Sequence, residues 1–85
     1  MRKKATRKAT MHSFTVVFEP AQEGGYVVRA PSLPGCSTQG GTFEDAQKNA
    51  KEAIEGYLAV MNDMREEITL ESDNTIVSRI PALVR

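Results

Sequence analysis

Apolar and polar residues alternate near the start of the chain and predict a β-hairpin. Residues 13–19 have the period of two that is typical of a half-buried strand, and they are rich in β-branched and aromatic side chains. One face of this strand would carry Phe14, Val16 and Phe18. Residues 20–25 contain two glycines and predict a turn into a second strand over residues 26–30. So short a loop makes the two strands antiparallel.

The next segment predicts a short third strand followed by one long helix. Pro31 and Pro34 end the second strand because proline has no N–H to donate, and residues 36–39 form the third strand. Thr42 is a favourable N-cap for the helix, and Asp45 three residues later approximates a capping box. Apolar residues then recur at helical spacing and would form one stripe: Phe43, Ala46, Ala50, Ala53, Ile54, Tyr57, Val60, Met61 and Met64.

A last strand is predicted over residues 75–80, with Pro81 ending it. The resulting order β-β-β-α-β is an α+β fold, in which one long helix packs on an antiparallel three-stranded sheet and a further C-terminal strand follows. A strand on each side of the helix allows a parallel pairing with a right-handed crossover. Eighty-five residues bury only a thin core, so we expect a homo-oligomer, either a dimer or a tetramer.

The net charge of zero conceals an uneven distribution. Residues 1–12 contain five basic residues and no acid, whereas residues 13–85 contain six basic and eleven acidic residues, a net charge of −5. The first twelve residues have little apolar content, so we expect a disordered basic tail followed by a single domain over residues 13–85. As an alternative, the tail would contact nucleic acid through Arg2, Lys3, Lys4, Arg7 and Lys8.

Residues that catalyse reactions or hold metals are sparse. Cys36 is the single cysteine and His12 the single histidine, so we expect neither a disulfide within the chain nor a Cys/His metal cluster. Glu19 is the only acid in the predicted strands, which disfavours a carboxylate cage for magnesium, and no glycine-rich phosphate loop is present. These features predict a binding protein without a cofactor rather than an enzyme. The chain has no signal-peptide pattern or membrane-spanning apolar run, so we expect it in the cytoplasm.

The turns and the helix contain a series of residues in a distinctive order and spacing. The series is Gly25, Tyr26, Val27, Val28, Ala30, Pro31, Leu33, Pro34, Gly35, Cys36, Gly40, Thr42, Glu44, Ala46, Ala50, Ala53 and Ile54. With these residues the chain resembles the HicB antitoxin family, the short proteins of bacterial and archaeal HicA–HicB toxin–antitoxin pairs. Asp45 stands where the family more commonly has Glu. The resemblance spans residues 14 to about 64, and its residues are those of turns and packing.

The resemblance implies a truncated ribonuclease-H-like domain that binds and neutralises a HicA-type toxin. Such a toxin is a small, basic protein that cleaves messenger RNA, and an acidic domain would be attracted to its RNA-binding surface. Many family members carry a further C-terminal DNA-binding domain, and the resemblance here is to a short form without it. Two alternatives remain open: a self-assembling regulatory module with weak DNA binding through the basic tail, and an orphan HicB-like domain without a toxin.

Overall fold

The computed structural model describes residues 11–68 and 70–85 and shows a three-stranded antiparallel sheet with one helix. Strand β1 is Val17–Pro20, β2 is Tyr26–Arg29 and β3 is Ser37–Gly40, in the spatial order β1-β2-β3. Helix α1 is Phe43–Asp63. The predicted α+β class, the three antiparallel strands and the long helix are therefore confirmed. The ribonuclease-H-like relationship stays a prediction.

Strand β1 begins four residues later than predicted. In its register with β2, Val17 faces Arg29 and Pro20 faces Tyr26. Continued in this register, Thr15 would face Pro31, which has no N–H for a ladder hydrogen bond. The backbone N–H of Thr15 donates instead to the carboxylate of Glu71. The period-two pattern therefore identified the exposed and inward faces, but proline in the neighbouring segment limits the ladder.

Helix α1 begins and ends with defined caps. The Thr42 hydroxyl accepts a hydrogen bond from the backbone N–H of Asp45 at 3.0 Å, as predicted for an N-cap. At the other end Arg65 has a φ of 59°, in the left-handed region. The backbone N–H of Arg65 donates to the carbonyl of Asn62, and that of Glu66 donates to the carbonyl of Met61. This pair of bonds is a Schellman motif, which ends the helix and turns the chain back.

The core consists of two small clusters between the sheet and the helix. One contains the buried residues Val28, Ala46 and Ala50, and the other contains Ala30, Leu33 and Cys36. The helix packs mainly on β3 and less on β2, and its small alanines permit a close approach. So thin a core agrees with the small size of the domain.

The apolar stripe of the helix is only partly buried. Val60 is 56% exposed and Met64 is 62% exposed, whereas Leu58, which was not assigned to the stripe, packs on the second core cluster. The reason is length: the helix of 21 residues is roughly 31 Å long, and a strand of four residues spans roughly 13 Å. The second half of the helix therefore extends past the sheet.

The predicted C-terminal strand is not confirmed. Residues 75–85, all of which the structure describes, form no helix and pair with no strand. Ser72 begins a turn in which the N–H of Thr75 donates to its carbonyl, and every residue from 72 onwards is exposed. A strand requires a neighbour with which to exchange backbone hydrogen bonds, and the apolar pattern of residues 75–80 alone does not supply one. The parallel crossover predicted with this strand is likewise absent from residues 70–85.

Candidate binding surface

The recognisable turn of the sequence is a compact loop that closes the second core cluster. The N–H of Leu33 donates to the carbonyl of Ala30, and the N–H of Cys36 donates to the carbonyl of Leu33. Gly35 has a φ of +83°, a conformation that glycine adopts without a steric penalty. Leu33 and Cys36 are buried, while Pro31, Pro34 and Gly35 are exposed. The loop thus anchors an inward leucine and presents its prolines to solvent.

Two further residues of the series allow close backbone approaches. A Cβ at Gly25 would overlap the carbonyl oxygen of Gly40, and a Cβ at Gly40 would overlap the backbone of Ala46. Beside them, Tyr26 and Phe18 contact the ring of Phe43, with ring centroids 5.9 Å and 4.8 Å from it. The series therefore sets the spacing between the hairpin, β3 and the first turn of the helix.

The remaining residues singled out from the sequence lie at separate places. Thr42 caps the helix. Ala46 and Ala50 are buried on the side of the helix that faces the sheet, and Ile54 is half-buried against the second core cluster. Burial raises the pKa of the Cys36 thiol, which disfavours the thiolate that a nucleophile needs. The proposed nucleic-acid tail, with Arg2, Lys3, Lys4, Arg7 and Lys8, lies outside the described residues.

A groove of about 1080 Å³ lies between the helix and the residues at and before β1. Because the helix lies over β3 and β2, the inward side chains at and before β1 are only half-buried. The apolar lining of the groove includes Phe14, Val16, Phe18, Ile54, Leu58, Ile68 and Leu70. Its polar rim includes Lys51, Glu55, Asn62, Arg65, Glu66 and Glu67. We call this feature the β1 groove.

Glu71 fixes the chain beside the β1 groove, a role that was not predicted. Its carboxylate accepts from the N–H of Thr15 at 2.7 Å, from the hydroxyl of Thr15 at 2.6 Å and from the hydroxyl of Ser32 at 2.7 Å. These hydrogen bonds, first those of the Thr15 and Ser32 side chains, lower the pKa of Glu71. Glu71 therefore tethers the C-terminal loop to the segment before β1 and to the loop after β2. Its partners lie 56 and 39 residues away in sequence, so no local pattern identifies it.

The outer side of the helix carries an acidic stripe formed by Asp45, Glu52 and Asp63. Glu52 follows Asp45 by seven residues and Asp63 follows Glu52 by eleven, which are close to two and three helical turns. All three are exposed, and within the described part of the chain none forms an ion pair. Glu55, in contrast, pairs with Lys51 at 2.6 Å on the groove side. The helical spacing of the three acids can be recognised from the sequence alone.

The C-terminal segment is the most exposed apolar part of the described chain. In residues 75–85, which we call the C-terminal arm, Ile76 is 86% exposed and Val84 is 92% exposed. Val77, Ile80 and Leu83 are also large and exposed. Contiguous exposed apolar residues of this kind mark interaction sites on soluble proteins.

Within residues 11–68 and 70–85, no three acidic, histidine or cysteine side chains are grouped as metal ligands. Over the same residues, no helix is long and apolar enough to cross a membrane. The described surface offers a groove, an acidic stripe and an apolar arm.

Comparison with known proteins gives a consistent set of relatives. Residues 14–81 match a family model described as a HicB-like antitoxin of bacterial toxin–antitoxin systems. A UPF0150 protein of Thermoplasma acidophilum is 40% identical over 63 residues, which cover 74% of this chain and 91% of that protein. A UPF0150 protein of Archaeoglobus fulgidus is 43% identical over 53 residues, or 62% of this chain and 77% of that protein. The protein named Antitoxin HicB 1 of Photorhabdus laumondii is 44% identical over 41 residues, or 48% of this chain and 26% of that longer protein.

Proposed function

Because the chain belongs to the HicB-like antitoxin family, we propose that it binds and neutralises a small, basic, messenger-RNA-cleaving toxin of the HicA type. The observation that carries this proposal is the family match over residues 14–81, which includes the sheet, the helix and the segment beyond them. A relative named as an antitoxin supports it. We place the interaction in the cytoplasm, where messenger RNA and the toxin would meet.

The acidic stripe is the surface that we assign to the toxin. A toxin that binds RNA needs a basic surface for phosphate groups. Asp45, Glu52 and Asp63 present exposed carboxylates that form no ion pair within the described residues, and they would compete for that surface. Val60 and Met64 lie exposed on the same helix and would add apolar contact beside the charges. Complementary charge of this kind steers association and excludes partners of the wrong charge.

The antitoxin would act by occupying the toxin rather than by chemistry of its own. On this proposal the ribonuclease-H-like framework serves as a binding scaffold, and no cofactor takes part. The apolar surfaces outside the acidic stripe are then available for self-association, which we treat as a separate interface.

Co-expression with a small basic protein encoded beside this chain tests the proposal. The wild-type chain should relieve the growth arrest caused by that protein and should co-elute with it in size-exclusion chromatography. The double variant Glu52→Lys/Asp63→Lys should bind at least roughly tenfold more weakly, because two carboxylates facing a basic surface are replaced by like charges.

The matched control is Glu23→Lys/Asp73→Lys, which changes the net charge by the same amount at exposed positions away from the helix. Circular dichroism would establish that both variants are folded. Equal loss of binding in both variants would remove the stripe from the proposal. Absence of both a complex and relief of toxicity with the wild-type chain would overturn the antitoxin function itself.

A further inference from the structure

We propose that two copies of this chain form a symmetric dimer by exchanging their C-terminal arms, each arm lying in the β1 groove of the other copy. This interface is separate from the acidic stripe and does not depend on the toxin. The two surfaces are both largely apolar, both at least partly exposed and both present in every copy.

The C-terminal arm has the composition of a β-strand, although it pairs with no strand in a single copy. Five of its eleven residues are β-branched: Thr75, Ile76, Val77, Ile80 and Val84. Such residues favour extended backbone on a half-buried surface. Ile76 and Ile80 are four positions apart, so in an extended arm both side chains lie on one face. The arm can therefore present an apolar face and its backbone hydrogen-bonding groups together.

The β1 groove offers the complementary surface. Among the described strands β1 lies at the edge of the sheet, with β2 as its neighbour, so its outer backbone groups face away from the sheet. The adjacent inward face carries Phe14, Val16 and Phe18. A segment that adds to an exposed sheet edge gains backbone hydrogen bonds and buries its side chains in the adjoining pockets. The volume of about 1080 Å³ exceeds the usual range for small-molecule pockets and suits a peptide segment.

Charge also favours docking of the arm on the body of the domain. Residues 13–74 contain four basic and eleven acidic residues, a net charge of −7. The arm contains Arg79 and Arg85 and no acid, a net charge of +2. Glu55, Glu66 and Glu67 stand on the rim of the groove, where an arginine of the arm would pair with them.

The geometry of the connection favours exchange over docking within one copy. Glu71 holds the chain to Thr15 and Ser32, and the turn that begins at Ser72 follows immediately. The arm leaves this fixed point exposed instead of returning along the groove of its own copy. Eleven extended residues span roughly 36 Å, enough to reach along the edge of a neighbouring molecule. Because each copy has one arm and one groove, reciprocal exchange closes at two copies.

Cross-linking between differently labelled copies tests the exchange directly. In a Cys36→Ala background, one population carries Val77→Cys in the arm and a second, isotopically heavy population carries Lys51→Cys on the groove rim. After mixing and equilibration, a short bis-maleimide reagent should join a light chain to a heavy chain. Replacing Lys51→Cys by Glu52→Cys, which lies roughly 100° further round on the outer side of the helix, should reduce this product at least roughly fivefold, because that position does not line the groove.

A second measurement uses the oligomeric state of the full chain. Light scattering should give the mass of a dimer for the wild type. Ile80→Lys should raise the dimer dissociation constant at least roughly tenfold, because it places a charge in an apolar groove. Thr75→Lys, which adds the same charge at the start of the arm, should have a smaller effect. Since both positions are exposed within a single copy, neither substitution disturbs its folding.

Three results would overturn the exchange. A monomeric wild type whose Val77→Cys/Lys51→Cys double variant cross-links only within one chain would place the arm in its own groove. A dimer with equal cross-linking to Lys51→Cys and Glu52→Cys would place the interface elsewhere. A groove that becomes protected only when the basic neighbouring protein is added would assign it to that partner.

Discussion

At the scale of single residues, Glu71 joins three parts of the molecule that are distant in sequence. It connects the segment after the helix to the start of the β1 region and to the loop after β2. Charge-assisted hydrogen bonds of this kind are stronger than those between neutral groups. One carboxylate therefore sets the position from which the C-terminal arm departs.

Replacing Glu71 by Gln should lower the free energy of unfolding by about 1 kcal/mol at neutral pH, because the charge-assisted bonds to Thr15 and Ser32 are weakened. The folded-state pKa of Glu71 lies below its ordinary value of 4.5. Its contribution is therefore complete above that value and is lost as the pH falls through the lowered pKa. Urea unfolding at several pH values should show the difference between wild type and variant shrinking in acid. A difference that persists unchanged in acid would contradict this role.

Substitution by alanine should change the stability of the fold in opposite directions at two glycines, Gly56 and Gly40. A Cβ at Gly56 meets no atom within 4 Å, so Gly56→Ala should stabilise the helix by up to roughly 1 kcal/mol. A Cβ at Gly40 would overlap the backbone of Ala46, so Gly40→Ala should destabilise the fold. In thermal unfolding, Gly56→Ala should raise the melting temperature and Gly40→Ala should lower it. A loss of stability in Gly56→Ala would show that this glycine has a role in packing or binding.

At the scale of elements, the helix was the most predictable part of the structure because its signals are local. The cap at Thr42, the acids of the first turn and the alanine spacing all lie within one continuous segment. The three strands before the helix were predictable in order, whereas the fourth predicted strand is not formed within residues 70–85. The ends of the strands depend on which residues face each other across the sheet. The exposure of Val60 and the partial burial of Leu58 depend on how far the sheet extends under the helix. The helix sequence does not contain that information.

The helix cap supplies a prediction at this scale. Thr42→Ala removes the acceptor for the N–H of Asp45 and should cost about 1 kcal/mol of stability, whereas Thr42→Ser should retain most of it. Denaturant unfolding monitored by circular dichroism would measure both. Equal losses in the two variants would show that the methyl group, rather than the hydroxyl, carries the effect.

At the scale of the whole molecule, the surfaces were less predictable than the fold. The acidic stripe can be predicted from helical spacing, because its three members lie on one element. The β1 groove cannot be predicted from the sequence, because it results from the lateral position of the helix over β3 and β2. The strand predicted over residues 75–80 is not formed, because this segment has no neighbouring strand within a single copy.

The two proposed interfaces should respond differently to salt. Association through the acidic stripe relies on exposed charges, which are screened beyond about 10 Å at 0.1 M salt and about 3 Å at 1 M salt. Raising sodium chloride over this range should slow toxin association at least roughly tenfold in stopped-flow measurements. The dimer proposed for the C-terminal arm buries mainly apolar side chains, so its dissociation constant should change by less than roughly threefold in sedimentation equilibrium. A dimer as sensitive to salt as the toxin complex would mean that charge, rather than the apolar face of Ile76 and Ile80, holds the copies together.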